Sequence, residues 1–197
     1  MPGDLGNYYN AISDGYNALH GEEQQEKIEC IKELLKNDIK LGSERENILL
    51  DIGCGTGLST SDLQILRAGL DPAENLLKYA NDSRLYIKSE RGIIENDTTE
   101  IGGPTEHLGY ILGVAEALPI KTKSCAIVIS VTAVHNFRNI NKSLQEINRI
   151  AIDRVIISVL KRAKMFEDIV EIITQNFQVL KSIENRFDLI LYLAPKI

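Results

Sequence analysis

Glycines at alternate positions follow the first strongly apolar segment of this chain. The apolar segment is NILLDI, residues 47–52, and Gly53, Gly55 and Gly57 follow it in the sequence DIGCGTG. A short apolar run is typical of a buried strand, and glycine lets the backbone turn sharply and approach a ligand closely. In an open α/β sheet, ligands bind beyond the carboxyl ends of the strands. The segment therefore predicts a ligand-binding loop at the end of the first strand of such a sheet.

The rest of the chain alternates between strand-like and helix-like patterns. Two final runs, QVLKSIE and FDLILYLA, meet at Asn185 and Arg186, and so short a link requires an antiparallel hairpin. The earlier apolar runs are separated by segments with helical spacing, which indicates a mostly parallel sheet covered on both faces. The predicted parallel strands are residues 47–52, 65–71, 110–114, 125–131 and 154–160.

We therefore predict a single α/β domain over residues 1–197. Its core, residues 47–197, is expected to be a Rossmann-like doubly wound sheet of five parallel strands plus a C-terminal antiparallel hairpin. Residues 1–42 are predicted to form a helical N-terminal cap. Residues 81–108 are longer than an ordinary connection, and we expect a small hairpin around Arg91–Gly92 within them.

Composition and charge exclude several classes of protein. Apolar residues make up 44% and charged residues 25%, which is ordinary for a globular chain and excludes a disordered one. The net charge of −6, without a basic block, argues against direct nonspecific nucleic-acid binding. No segment predicts a membrane span or an export signal. Three scattered cysteines without metal-binding spacing indicate reduced thiols, a cytoplasmic protein and no metal site.

Two aspartates indicate the chemistry of the expected ligand. Asp51 stands two residues before the first glycine, and a carboxylate there repels phosphate and attracts an ammonium group. Asp71 ends the second predicted strand, where a carboxylate can accept hydrogen bonds from a ribose diol. The spacing G-x-G-x-G also differs from the G-x-G-x-x-G of dinucleotide loops, so a nicotinamide-dependent oxidoreductase is disfavoured.

These segments together resemble a known family. LLDIGCGTGLST, GLDPAENLLKYA and GVAEALPI are similar to the class I S-adenosylmethionine-dependent methyltransferases, in the broad group with quinone-biosynthesis and RNA-modifying members. The resemblance covers roughly residues 47–160, and the N-terminal YYNAISDGYNALHGEEQ is similar to the cap of that group. It implies S-adenosylmethionine as the methyl donor. The positions that it assigns to the donor are Tyr8, Tyr9, Asp51, Gly53, Cys54, Gly55, Asp71, Pro72, Ala115, Glu116 and Val131.

The resemblance also implies how the donor would be divided among these residues. Asp51 would hold the amino group beside the glycines, and Asp71 would bind the ribose hydroxyls. Pro72 and Leu118 would flank the adenine, and Ala115 and Glu116 would lie beside the base edge. Many relatives have aspartate where Val114 stands, and Glu116 is a candidate to take its place beside the base.

One histidine and two tyrosines each have two interpretations. His135, after the fourth predicted strand, is either a general base or a residue that packs on or caps the next helix. We retain it as the candidate catalytic residue. Tyr8 and Tyr9 either close over the donor as a lid or pack as aromatic residues of a terminal helix.

Three functions remain open at this point. The main prediction is a methyltransferase whose acceptor, still unidentified, is a small aromatic or quinone-like molecule. An alternative is an RNA or protein methyltransferase working with a small zinc-ribbon activating subunit, as some similar proteins do. The third is a donor-binding protein without catalysis, suggested by Val114.

Overall fold

The computed structural model describes residues 16–36, 48–57, 67–80, 86–87 and 107–196. Its helices are α1 (Tyr16–Leu35), α2 (Glu74–Ala80), α3 (Ile140–Ile150) and α4 (Phe166–Asn176), with a short 3-10 turn at Val134–Asn136. Its strands are β1 (Leu49–Ile52), β2 (Arg67–Asp71), β3 (Tyr86–Ile87), β4 (His107–Leu112), β5 (Cys125–Val131), β6 (Ala151–Leu160), β7 (Phe177–Glu184) and β8 (Asp188–Pro195).

The described strands form one sheet in the order β3-β4-β2-β1-β5-β6-β8-β7. Strands β1 to β6 pair in parallel, whereas β8 runs antiparallel to both β6 and β7. The predicted parallel core and C-terminal hairpin are therefore confirmed. The short strand β3 is a further parallel strand that the sequence did not predict, since two residues show no periodicity. The hairpin expected around Arg91–Gly92 lies outside the described residues.

The strand order reverses at β1, which lies between β2 and β5. Every residue of β1, β2 and β5 is buried, which explains the apolar sequences of β1 and β5, whereas β2 also buries the charged side chains of Arg67 and Asp71. In a doubly wound sheet, the crevice beyond such a reversal point is the usual ligand site. The loop of alternating glycines leaves β1 at this edge.

Helices cover both faces of the sheet. On one face, α3 and α4 contribute buried apolar residues to the main core, and Asn139 caps α3 by accepting a hydrogen bond from the Lys142 N–H at 3.0 Å. On the other face, α1 packs through a stripe of apolar residues, Ile31, Leu34 and Leu35. The predicted N-terminal cap thus contains a helix that completes the core. No described helix is long and apolar enough to cross a membrane.

Candidate functional site

The glycine loop is held against the neighbouring strand by its own backbone. The N–H groups of Gly53 and Cys54 both donate to the carbonyl oxygen of Leu70, at 2.7 and 3.2 Å. The Gly57 N–H then closes a turn on the Cys54 carbonyl at 2.9 Å. Because these bonds connect the loop to the end of β2, the carboxyl edges of two adjacent strands act as one surface.

Two of the loop glycines are required by neighbouring protein atoms. A Cβ atom on Gly53, whose φ is +78°, would lie 2.4 Å from the Cβ of Ala133, and one on Gly57 would lie 2.2 Å from the Tyr110 hydroxyl oxygen. Both contacts are shorter than real Cβ contacts. The sequence interpretation left this space to a ligand, whereas in the structure Ala133 and Tyr110 fill the side-chain positions of Gly53 and Gly57.

Asp71 connects the end of β2 to the glycine loop and to α2. Its Oδ2 accepts a hydrogen bond from the Gly55 N–H at 2.9 Å, and its Oδ1 accepts one from the Ala73 N–H at 2.8 Å. Burial raises the pKa of this carboxyl, and the two N–H donors oppose that effect. A carboxylate has about four lone-pair positions, so two remain for further donors.

The second carboxylate near the glycine loop is that of Asp51, two residues before Gly53. Asp51 is fully buried in β1, in register with Gly69 of β2 and Ile129 of β5. Burial, followed by the charges of Asp71 and Asp51, raises the pKa of the Cys54 thiol well above its usual value. The thiol therefore stays protonated, and Cys54 packs against Leu77 and Tyr110. Both carboxylates are therefore close enough to the glycine loop to act on this thiol.

The segment that follows β4 is anchored to α3. The Leu118 N–H donates to Glu146 Oε2 at 2.9 Å, and Arg149 donates to the carbonyl oxygens of Leu118 and Ile120 at 3.1 and 2.8 Å. The Arg149 guanidinium also donates hydrogen bonds to both carboxylate oxygens of Glu146, which lowers the pKa of that carboxyl. Its guanidinium therefore fixes the segment that the sequence assigned to the adenine.

The individual residues of that segment differ in exposure. Ala115 and Leu118 are buried, while Val114 is 38% exposed and Pro72, after β2, is also exposed. The Oε1 of Glu116 accepts a hydrogen bond from the Asn139 N–H at 3.1 Å, so this carboxylate holds the start of α3. From the sequence, Glu116 is a candidate partner for the adenine, and its Oε1 already accepts this hydrogen bond from the Asn139 N–H.

The loop after β5 brings His135 to the same edge. Buried Val131 ends the strand, and Val134–Asn136 form the 3-10 turn that contains His135. The side chain of His135 is half-buried, and within the described part of the chain its Nδ1 has no hydrogen-bond partner. Burial lowers the pKa of His135, as do the charges of Lys27 and Arg162, whereas Asp188 acts in the opposite direction. The imidazole is therefore biased toward its neutral form.

Sequence reasoning missed a buried polar cluster behind this loop. Lys27 of α1 lies 3.1 Å from Asp188 of β8, and both side chains are fully buried. Two signals could have indicated it. Lys27 stands four and seven positions before the buried Ile31 and Leu34, and so lies on the apolar stripe of its helix. Asp188 is the first residue of an otherwise largely apolar strand.

Two of the predicted donor contacts, Tyr8 and Tyr9, lie outside the described residues. In the described parts of the chain, no group of three or more His, Cys, Asp or Glu residues could hold a metal ion. Asp51, Gly53, Cys54, Gly55 and Asp71 lie together around the glycine loop. Pro72, Ala115, Glu116 and His135 lie on the segments that follow β2, β4 and β5, and Val131 is the last residue of β5.

A comparison of sequences identifies the family. Residues 50–159, which are 110 of the 197 in the chain, match the sequence model of a family described as a methyltransferase domain. The chain belongs to this family of methyltransferases. S-adenosylmethionine is the methyl donor of the family.

One relative by sequence is an uncharacterized protein of Methanocaldococcus jannaschii. It is 28% identical over 148 residues, which are 74% of this chain and 47% of that protein. The chain therefore spans about half the length of the curated relative it matches.

Two solved structures share the fold of this methyltransferase. Magnesium protoporphyrin IX methyltransferase of Synechocystis PCC 6803, with bound S-adenosylmethionine, has a TM-score of 0.64 and 18% identity, over 88% of this chain and 80% of that one. The methyltransferase in a complex with the Haloferax volcanii Trm112 methyltransferase activator has a TM-score of 0.66 and 14% identity, over 95% and 96%. At these identities the likeness establishes the fold.

The residues around the loop fit the donor of the family. Gly55 has a φ of +55°, a conformation that favours glycine, and its N–H is fixed by Asp71. The free lone pairs of the buried Asp71 carboxylate suit hydroxyl donors, and the Asp51 carboxylate suits an ammonium group. A dinucleotide pyrophosphate fits poorly, because the Asp51 carboxylate beside the loop would repel it.

Proposed function

We propose that this chain transfers a methyl group from S-adenosylmethionine to a small aromatic or quinone-like acceptor. When bound, the donor supplies a methyl group on a positively charged sulfur atom. The observation that carries the proposal is the arrangement of two buried carboxylates, Asp51 and Asp71, around a glycine loop at the reversal point of the sheet. Asp51 would hold the donor's amino group, and Gly53 and Gly55 would line its methionine portion.

The rest of the donor would lie over the ends of β2 and β4. Asp71 would accept hydrogen bonds from the ribose hydroxyls with the lone pairs that Gly55 and Ala73 leave free. Pro72 and the segment anchored by Arg149 would flank the adenine. Ala115 and Glu116 would lie beside the base edge. Because Glu116 Oε1 accepts a hydrogen bond from the Asn139 N–H, Oε2 would be the oxygen that faces the base.

The contribution of the protein to methyl transfer would be mainly alignment. Correct alignment of two reactants can supply about 7–11 kcal/mol of barrier reduction. A base is needed only where the acceptor arrives protonated, as a phenol does. His135 would take that proton, since burial keeps its imidazole biased toward the neutral form.

Thermal unfolding tests the donor. A ligand whose free concentration is about one hundred times its Kd stabilises the native state by about 2.7 kcal/mol. In a domain of this size, each kcal/mol raises the Tm by about 2–4 °C, so S-adenosylhomocysteine should raise it by about 5–11 °C. NAD should have no effect, since Asp51 repels its pyrophosphate. A shift with NAD alone would overturn the proposal.

The variant Gly55→Val is the matched control for this experiment. Valine at a φ of +55° is strained, and its side chain would crowd the loop. The variant should therefore lose the shift with S-adenosylhomocysteine while its circular dichroism stays that of a folded protein. An undiminished shift would place the ligand elsewhere.

Tyr8 and Tyr9 are proposed to order over the bound donor. If they form a lid, saturating S-adenosylhomocysteine should slow amide exchange in residues 5–20 as well as in residues 51–58. Slower exchange in the glycine loop alone would mean that the two tyrosines pack without contacting the donor.

A second function follows from the Haloferax volcanii complex. That methyltransferase is bound to the Trm112 activator, and this chain matches 96% of it. The chain's net charge of −6 would also make a partner useful if the acceptor were RNA. Native copurification followed by mass spectrometry separates the two proposals. A small zinc-ribbon protein in stoichiometric amount would favour an RNA or protein acceptor, and a chain that copurifies with a donor product alone would favour a small acceptor.

The cytoplasmic location is also a proposal. Cys30, Cys54 and Cys125 form no disulfide, and burial raises the pKa of Cys125 to about 11. Reduced, unreactive thiols of this kind are common in cytosolic proteins.

A further inference from the structure

Four polar side chains lie together behind the loop that follows β5. They come from α1, the end of β5, β6 and the start of β8. Three of them, Lys27, Ser158 and Asp188, are fully buried, and the Nζ of Lys27 lies 3.1 Å from the Oδ1 of Asp188. None of the roles proposed above uses this polar cluster, whose members are Lys27, Thr132, Ser158 and Asp188.

Thr132 stands at the centre of the polar cluster. Its hydroxyl accepts a hydrogen bond from the Lys27 Nζ at 2.7 Å and donates one to the Asp188 Oδ2 at 2.8 Å. Its backbone N–H donates to the Oγ of Ser158 at 2.7 Å, and that hydroxyl also donates to Asp188 Oδ2 at 2.8 Å. Three other elements of the fold therefore hold the hydroxyl and the N–H of Thr132.

The backbone of Thr132 adopts a left-handed conformation with a φ of +55°. A β-branched residue rarely adopts this conformation, and it persists only where the surroundings impose it. Strained residues of this kind concentrate at functional sites. The polar cluster supplies the hydrogen bonds that impose the strain on Thr132.

The conformation of Thr132 sets the course of the residues that follow it. Ala133 comes next and fills the side-chain position of Gly53, so the loop touches the glycine loop directly. Val134 is fully buried, and His135 follows in the 3-10 turn. If Thr132 relaxed to an extended conformation, both the Ala133 contact and the position of His135 would change.

A buried ion pair is a poor source of stability. Replacing such a pair by well-packed apolar residues is often neutral or stabilising, because the two charges lose their hydration on burial. Stability alone therefore gives no reason for a lysine at position 27 of an otherwise apolar stripe. A role in fixing one conformation accounts for the lysine.

We propose that Lys27 is a positioning residue of the site. Through Thr132 and Asp188, it holds the loop after β5 in the strained conformation that seats Ala133 against Gly53 and places His135 at the edge of the sheet. The helix α1 is thereby coupled to the donor loop. Part of the test depends on the proposed function, because it measures donor binding, and the other part, on His135, needs no ligand.

The test compares a double variant with a triple variant. Lys27→Met with Asp188→Leu removes both charges together and keeps apolar bulk in the cavity. It should fold, yet its affinity for S-adenosylhomocysteine should fall at least about tenfold, because the loop relaxes. Adding Thr132→Gly should restore the affinity to within about threefold of the original, since glycine adopts a positive φ without support. Calorimetric titration measures all three proteins.

The titration of His135 gives the readout that needs no ligand. Relaxation of the loop should expose the imidazole, so the pKa of His135 should rise toward about 6.5 in the double variant and fall again in the triple variant. Loss of the Lys27 charge raises the pKa of His135, whereas loss of the Asp188 charge lowers it, so the two effects oppose each other. The charge of Arg162 is present in all variants. The ring signals are followed by NMR and assigned with His135→Gln.

A second ion pair at the same edge of the sheet provides a matched control. Lys161 Nζ lies 2.9 Å from Glu184 Oε2, and both side chains are accessible to solvent. Lys161→Met with Glu184→Leu should leave both the donor affinity and the His135 titration unchanged. If the double variant of Lys27 and Asp188 also left both unchanged, the pair would only anchor α1 and the proposal would be wrong.

Two milder variants keep the proposal testable if the double variant does not fold. Thr132→Val removes the hydroxyl but leaves Lys27 and Asp188 paired, whereas Thr132→Ser keeps the hydroxyl. The valine variant should shift the His135 titration and weaken donor binding, and the serine variant should do neither. Equal behaviour of the two would overturn the proposal. If the unsubstituted chain bound no donor, the proposed function would fail, and the His135 readout would still decide the positioning role.

Discussion

The Oδ2 atom of Asp71 accepts a hydrogen bond from the Gly55 N–H at 2.9 Å. The residue expected to bind the ligand's ribose therefore also fixes the loop expected to bind its methionine portion. Because its other oxygen holds Ala73 at the start of α2, a single carboxylate connects three segments of the site. Its loss should disturb the site beyond one missing ligand contact.

The first prediction concerns this carboxylate. Asp71→Ala leaves the N–H groups of Gly55 and Ala73 without their acceptor, which costs about 1–3 kcal/mol for each group that stays buried. The donor affinity of Asp71→Ala should fall at least about tenfold. The donor affinity of Asp71→Asn, which keeps one acceptor oxygen, should fall less. Calorimetric titration with S-adenosylhomocysteine measures both. Asp168→Ala, at an exposed carboxylate of α4, is the control. Undiminished affinity in Asp71→Ala would remove this residue from the site.

The second prediction concerns the contact between Gly53 and Ala133. Gly53→Ala places a Cβ atom 2.4 Å from the Cβ of Ala133, at a φ of +78°. Overpacking of this kind costs about 1–3 kcal/mol, and the left-handed backbone adds about 1–2 kcal/mol. Urea unfolding should therefore show a loss of about 2–5 kcal/mol.

A double-mutant cycle separates the two causes. Ala133→Gly in the Gly53→Ala background removes the collision but leaves the backbone strain, so it should recover part of the lost stability. Contacting residues of this kind have coupling energies of about 0.5–3 kcal/mol. Strict additivity of the two changes would mean that the loops do not touch.

The regular elements could be predicted from the sequence because their signals are local. The predicted strand 125–131 agrees with β5, and the predicted strand 47–52 contains β1. Both are fixed by the burial of neighbouring residues in one element, which a periodic pattern reports directly. For the same reason, the strand β3 was missed, since a pair of residues has no period.

The packing of the site could not be predicted in the same way. The space beside Gly53 is filled by Ala133, which is eighty residues later in the sequence, and Lys27 meets Asp188 from the other end of the chain. A lysine in a helix is ordinarily exposed, so its burial depends on a partner that no local pattern identifies. The sequence located the edge of the sheet where the site lies, and tertiary contacts determine how its loops fit together.

The third prediction concerns the support behind the segment after β4. Arg149→Lys replaces a guanidinium that donates to Glu146, Leu118 and Ile120 by an ammonium with three donors and no planar fork. Because the site is partly exposed, the loss of stability should be about 1–2 kcal/mol. Donor affinity should fall a few-fold, as the segment loosens. Arg154→Lys, on β6, should leave donor affinity unchanged. If the two variants bound the donor with equal affinity, the segment after β4 would not contribute to donor binding.

The last prediction concerns His135 and pH. Burial and the nearby charges of Lys27 and Arg162 lower the pKa of His135 below its unfolded value of about 6.5. Between the two pKa values the unfolded chain binds more protons than the folded chain, so protonation favours unfolding. The stability from neutral His135 is fully present above pH of about 6.5 and is lost as pH falls through the folded pKa. The free energy of unfolding falls by about 1.4 kcal/mol for each pH unit between the unfolded and folded pKa values.

Urea unfolding at several pH values measures this contribution. The free energy of unfolding of the original chain should fall more between about pH 7 and 5 than that of His135→Gln, which has no proton to gain there. NMR titration of the ring gives the folded pKa directly, and the same signals in concentrated urea should titrate near about 6.5 as the reference. A folded pKa at or above that reference would mean that His135 is solvated or charged near neutral pH. Such a histidine would be a weak base for a protonated acceptor, and the acceptor's proton would then have to leave by another group.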